Sequence, residues 1–108
     1  MRETLAEQGF GVLTEIDVRA TLAAKLGVDF RRYVILGACN PGFAHRALSA
    51  SLTVGPLLPC NVVLYEDDDG KTVIEAGDPV TLLPAGEPAL EALAREVRDR
   101  LRTAIERV

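Results

Sequence analysis

No run in this chain approaches the roughly 18 uninterrupted apolar residues of a membrane-spanning helix. The opening MRETLAEQGF also lacks the apolar core of a secretory signal. Both absences point to the cytoplasm and away from a membrane. Excess positive charge is missing too: 12 Lys and Arg face 16 Asp and Glu, for a formal charge of -4. Nonspecific nucleic-acid binding draws on clustered cations left unbalanced by acids, so nucleic acid is not the expected partner. Cysteine is limited to two residues and histidine to one. Two cysteines in a chain without an export signal are expected to stay reduced, so they do not read as a structural disulfide. Asn and Gln are scarce, and Arg dominates the basic residues, a bias that fits a thermophile or a GC-rich genome.

What is present is the composition of an ordinary globular chain. With 108 residues, 48% of them hydrophobic and 26% charged, residues 1–108 read as a single domain with room for one core. Residues 2–8 read as the last turns of a helix with Leu5 and Ala6 inward, closed by a left-handed Gly9. From Phe10 to Val18 a period of two sets Phe10, Val12, Thr14, Ile16 and Val18 on one face, the pattern of a strand with one side on a core. A short helix follows through Leu22, Ala23 and Leu26 to Gly27, with Asp17 as its cap.

YVILGACN, residues 33–40, is too short for a typical helix and rich in Val and Ile, so it reads as a central strand. Asn40 is then placed to cap a helix whose first residue is Pro41 and whose buried stripe is Phe43, Ala44, Ala47 and Leu48. Residues 57–79 predict a hairpin turning at Asp67 to Lys71, where Asp69-Gly70 is the turn signal, with Pro59 near the start of its strand. A loop carrying Pro79, Pro84, Gly86 and Pro88 leads to a final helix. There Leu90, Leu93, Ala94, Val97, Leu101, Ala104, Ile105 and Val108 recur at three and four, while Glu91 with Arg95 and Glu96 with Arg100 line the other face.

The strings FGVLTEIDV, ILGACNP, AHRAL, LLPCNVV and the later DP resemble, in order, the bacterial and archaeal family called domain of unknown function 302. The match runs from about residue 3 to the end, and ILGACNP followed by LLPCNVV is its specific part. The resemblance implies an α+β fold: a mostly antiparallel sheet in the order strand, helix, four strands, helix, with the long C-terminal helix packed on one face. It implies a homodimer and no particular reaction. Family members begin with a further strand and the first half of helix one. The chain is therefore expected to be short at its N-terminus, so that either its start lies upstream or its open sheet edge is covered by another chain.

The remaining question is whether Cys39, Asn40, His45, Cys60 and Asn61 form a chemical site. As metal ligands, Cys39, His45 and Cys60 have intervals of five and fourteen residues that match no ordinary zinc pattern, so no metal and no cofactor is expected. Free cysteines are commonly small buried hydrophobes. His45 falls beside the buried stripe of its helix, and Asn40 has its capping role. If Asn61 faces the core, it must find hydrogen bonds there, and with Asn40 it would make a polar spot for ligand recognition. A meander would bring Cys39 and Cys60 to one end of the sheet, whereas a parallel crossover would separate them. The helix start after Asn40, with Gly42, could hold a small anion, without a Walker or dinucleotide glycine pattern beside it. Arg31-Arg32 reads as a solvated pair, and Asp67 to Asp69 as a turn lacking the ligands of a calcium loop.

The expected function is a small-ligand-binding or interaction module with no catalytic residue, its candidate ligand residues being Cys39, Asn40, His45, Cys60 and Asn61. Thiol-dependent or soft-metal redox chemistry at Cys39 and Cys60 is the first alternative. A structural assembly subunit is the second.

Overall fold

The structure is a computed structural model and describes residues 1–82 and 88–108. Four strands, β1 (Gly11–Asp17), β2 (Tyr33–Cys39), β3 (Cys60–Glu66) and β4 (Thr72–Ala76), form one antiparallel sheet in sequence order. Around it lie α1 (Arg2–Glu7), α2 (Val18–Leu26), α3 (Pro41–Ala50), a 3-10 segment (Leu52–Leu57), α4 (Pro79–Leu82) and α5 (Pro88–Glu106). The fold is α+β. Val12, Val34, Leu36, Ala38, Cys60, Val62, Leu64, Ile74 and Ala76 contribute the sheet's inner face to a core completed by α1, α3 and α5. On α5, Leu90, Leu93, Val97 and Leu101 are all buried there, each worth roughly 1.5–3 kcal/mol relative to exposure.

Local chemistry explains most element ends. Asp17 Oδ1 accepts from Ala20 N at 2.9 Å and starts α2, and Gly27 at φ 65° ends it. The β3–β4 turn is held by Asp67 Oδ1, which accepts from Asp69 N at 3.0 Å and Lys71 N at 2.9 Å, while Gly70 supplies φ 77°. Asp78 Oδ1 accepts from Val80 N at 2.9 Å and Pro79 opens α4, the same pairing of cap and proline that opens α3.

Several expectations are corrected. The alternation of β1 does not persist along its length, because the register shifts between Val12 and Thr14 and leaves Leu13 as an extra residue, 68% exposed. Such a bulge reverses the faces beyond it. Val12 therefore lies opposite Ala38 on the core side, whereas Thr14 and Ile16 lie opposite Gly37 and Ile35 on the other. Ala6 is exposed; only Leu5 of α1 is buried. α2 buries no residue, and its Ala23 and Leu26 face solvent. Val108 lies beyond the end of α5 and is 63% exposed. Glu96 pairs with Arg46 of α3 at 3.5 Å, and Arg100 donates to the Gln8 carbonyl at 3.5 Å, because packing α5 against α1 and α3 offers partners outside the helix. Within the expected loop, Pro79 opens α4 and Pro88 opens α5; Pro84 and Gly86 lie outside the described residues.

Candidate functional site

The chain leaves β2 at Cys39, turns through α3 and the 3-10 segment, and returns antiparallel beside it as β3. Cys60 is the direct partner of Ala38, so the two cysteines lie at the same end of neighbouring strands. Ala38 and Cys60 both pack on the core. Cys39 follows Ala38 by one residue, and the pleat turns its side chain toward the opposite face. Both thiols are free and half-buried. Burial, and to a lesser degree the charge Cys39 would carry, push the Cys60 thiol above its ordinary pKa. Cys60 therefore stays protonated near neutrality, the reverse of an activated thiolate.

Asn40 has extended backbone, and its Oδ1 accepts from Phe43 N at 3.2 Å while its carbonyl accepts from Ala44 N at 2.9 Å. The capped α3 terminus already has these amide groups satisfied. The Asn61 carbonyl accepts from Gly77 N at 3.3 Å. Its side chain is exposed, contrary to a core-facing role, and among the described residues its carboxamide has no partner. His45 is exposed on α3, away from the other four. Among the described residues, no group of three or more His, Cys, Asp or Glu is placed to hold a metal ion.

Cys39, Asn40, Cys60 and Asn61 instead converge on a pocket of about 170 Å³. Ala38 and Cys60 belong to its sheet side, Phe43 and Ala47 to its α3 wall, and Leu93 and Val97 to its α5 wall. Leu57 and Leu82, 38% and 55% exposed, mark its rim. The space exists because Ala38, Ala44, Ala47 and Gly77 bring little side-chain volume to elements that larger residues hold apart. Among the described residues, none that lines it carries a charge. Arg46 and Arg100 approach within 5.7 and 5.4 Å of the Phe43 ring centroid but do not line the cavity. The walls were not read from the sequence, since Phe10, Leu93 and Val97 lie far apart in the chain; the small residues on apolar faces were the available signal.

An antiparallel sheet with helices on its core face and an apolar pocket at one end defines the architecture. The model of the family described as "Domain of unknown function DUF302" matches residues 1–108, and the chain belongs to that family. The chain is similar to the crystal structure of an uncharacterized conserved DUF302 protein from Bacillus stearothermophilus. Identity is 39% and the TM-score 0.90, over 98% of this chain and 83% of that one. A comparison with curated proteins finds no match. No described helix is long and apolar enough to cross a membrane.

Proposed function

We propose that the chain is a binding module whose ligand is a small molecule held in the pocket at the end of β2 and β3. The observation that carries this reading is the cavity of about 170 Å³, apolar in its walls and with Cys39, Asn40, Cys60 and Asn61 collected on one side. A concave apolar site with a few convergent polar groups is the usual form of a ligand pocket. The thiol alternative has less support: Cys60 is held protonated by burial, and the pleat turns the two cysteine side chains to opposite faces. A screen of small organic fragments by thermal shift tests the reading. Binding is expected to survive the double substitution Cys39→Ser and Cys60→Ser and to be lost in Ala44→Leu, which places extra volume in the cavity. Loss of binding in the double serine variant, with the fold intact, favours the thiol mechanism.

A second copy of this chain is the partner we propose for the sheet's outer face. Ile16 remains 47% exposed there, and Leu13, Leu26, Val28 and Phe30 are exposed as well. Thr14, Ile16, Ile35, Val63 and Val73 lie on this face by register. These five carry no charge; Glu75, opposite Val63, shares the face, and its carboxylate accepts from the Tyr65 hydroxyl at 2.8 Å. A face meeting its own copy therefore brings mostly uncharged residues together.

A further inference from the structure

We propose that the ligand of the pocket is an uncharged, largely apolar molecule about the size of one six-membered ring. This rests on the binding reading above and adds the chemical class. Size sets the first limit. A dry protein cavity of about 150 Å³ accepts benzene, and the space here is about 170 Å³.

Charge sets the second limit. Among the described residues, no Asp, Glu, Lys, Arg or His lines the cavity. The cations beside Phe43 are engaged elsewhere: Arg46 with Glu96 at 3.5 Å, and Arg100 with the Gln8 carbonyl at 3.5 Å. A carboxylate, phosphate or ammonium group entering the pocket would shed water without meeting an opposite charge, which is strongly unfavourable.

The polar groups set the third limit. Asn40 Oδ1 is committed to Phe43 N. Asn61 is exposed and follows the core-facing Cys60 by one residue, so the pleat turns its carboxamide to the outer face of the sheet, away from the cavity. The Cys60 thiol is a weak donor, and Phe43, Ala47, Leu93 and Val97 present only carbon. These side chains offer a ligand hydroxyl or amide no strong partner, so the ligand is apolar over most of its surface.

Titration of the full chain with benzene, phenol and benzoate, followed through backbone amide shifts in 15N-labelled protein, tests this. Benzene and phenol are expected to move the amides of Ala47, Cys60 and Val97. Benzoate is expected to bind at least about 100-fold more weakly than phenol. Asn61→Ala removes an exposed side chain on the outer face, and it should leave benzene and phenol unchanged. Benzoate binding at those amides as tightly as phenol would overturn the ligand class and leave the pocket reading standing. If none of the three probes moves those amides, the class and the binding reading both fail.

Discussion

Gly9 lies against the side chain of Asn40: a Cβ built on Gly9 would stand 2.6 Å from Asn40 Nδ2. The contact joins the end of α1 to the start of α3 and explains why both positions are constrained. Gly9 has φ 84°, which L side chains rarely adopt, and Asn40 uses its other amide atom to cap α3.

Asn40→Ala is expected to cost about 1 kcal/mol through loss of the cap. Gly9→Ala should cost about 1–3 kcal/mol, because its positive φ is compounded by the clash. The two should not add. With Asn40 shortened to alanine the clash disappears, so the double variant should be more stable than the sum of the singles implies, as urea unfolding of all four proteins would show. Additive losses would mean that the two side chains do not meet.

Gly37 is constrained by space instead. A Cβ there would collide with Thr14 Oγ1 and stand 2.9 Å from Pro59 Cγ. Gly37→Ala should therefore destabilise by about 1–3 kcal/mol, the usual cost of overpacking. Adding Thr14→Ala should recover part of that loss and leave the part due to Pro59. Chemical denaturation provides the check; an unchanged loss in the double variant would contradict the contact.

The Cys60 thiol should titrate above the ordinary range. In a Cys39→Ser variant, which isolates Cys60, the pH midpoint of its alkylation should remain raised, because burial is the larger cause and the charge of Cys39 the smaller. The linkage has a definite sign. A folded pKa above the unfolded one leaves stability whole below the unfolded thiol pKa and lowers it as pH rises through the folded value. Denaturant midpoints should accordingly fall on the alkaline side in the Cys39→Ser protein, and fall less when Cys60 is also replaced by serine. A midpoint below the ordinary thiol range would contradict the burial of Cys60.

Self-association through the outer face predicts a dimer by light scattering that becomes a monomer on Ile16→Lys. Ile16 is 47% exposed, so its replacement should leave the fold intact, which circular dichroism would verify. An Ile16→Lys protein that is folded and still dimeric would place the interface elsewhere.

What was legible in the sequence was local. Asn40 beside Pro41, Asp69 beside Gly70 and the three-and-four spacing from Leu90 each depend on near neighbours, and each specifies an element that the structure contains. The antiparallel pairing of β2 and β3 was one of two open topologies, since the residues between Asn40 and Gly55 could serve either. Leu13 was illegible as a bulge: apolar and placed inside an alternating run, it gives no signal of the extra residue that turns Ile16 outward. Of the site, the strand-end residues Cys39, Asn40, Cys60 and Asn61 were visible as a cluster. His45 proved to lie outside the pocket, on the exposed side of α3. The pocket walls depend on the packing of α3 and α5 across the sheet, a non-local relation that periodicity does not encode.

The central claim is that an accessible, dry cavity lies between the sheet, α3 and α5. A crystal of the protein pressurised with xenon tests it most directly, because xenon occupies apolar cavities of this size. One xenon site in contact with Phe43, Ala47 and Val97 is the predicted result. A collapsed space filled by the Phe43 ring, or ordered waters in place of xenon, would contradict the account.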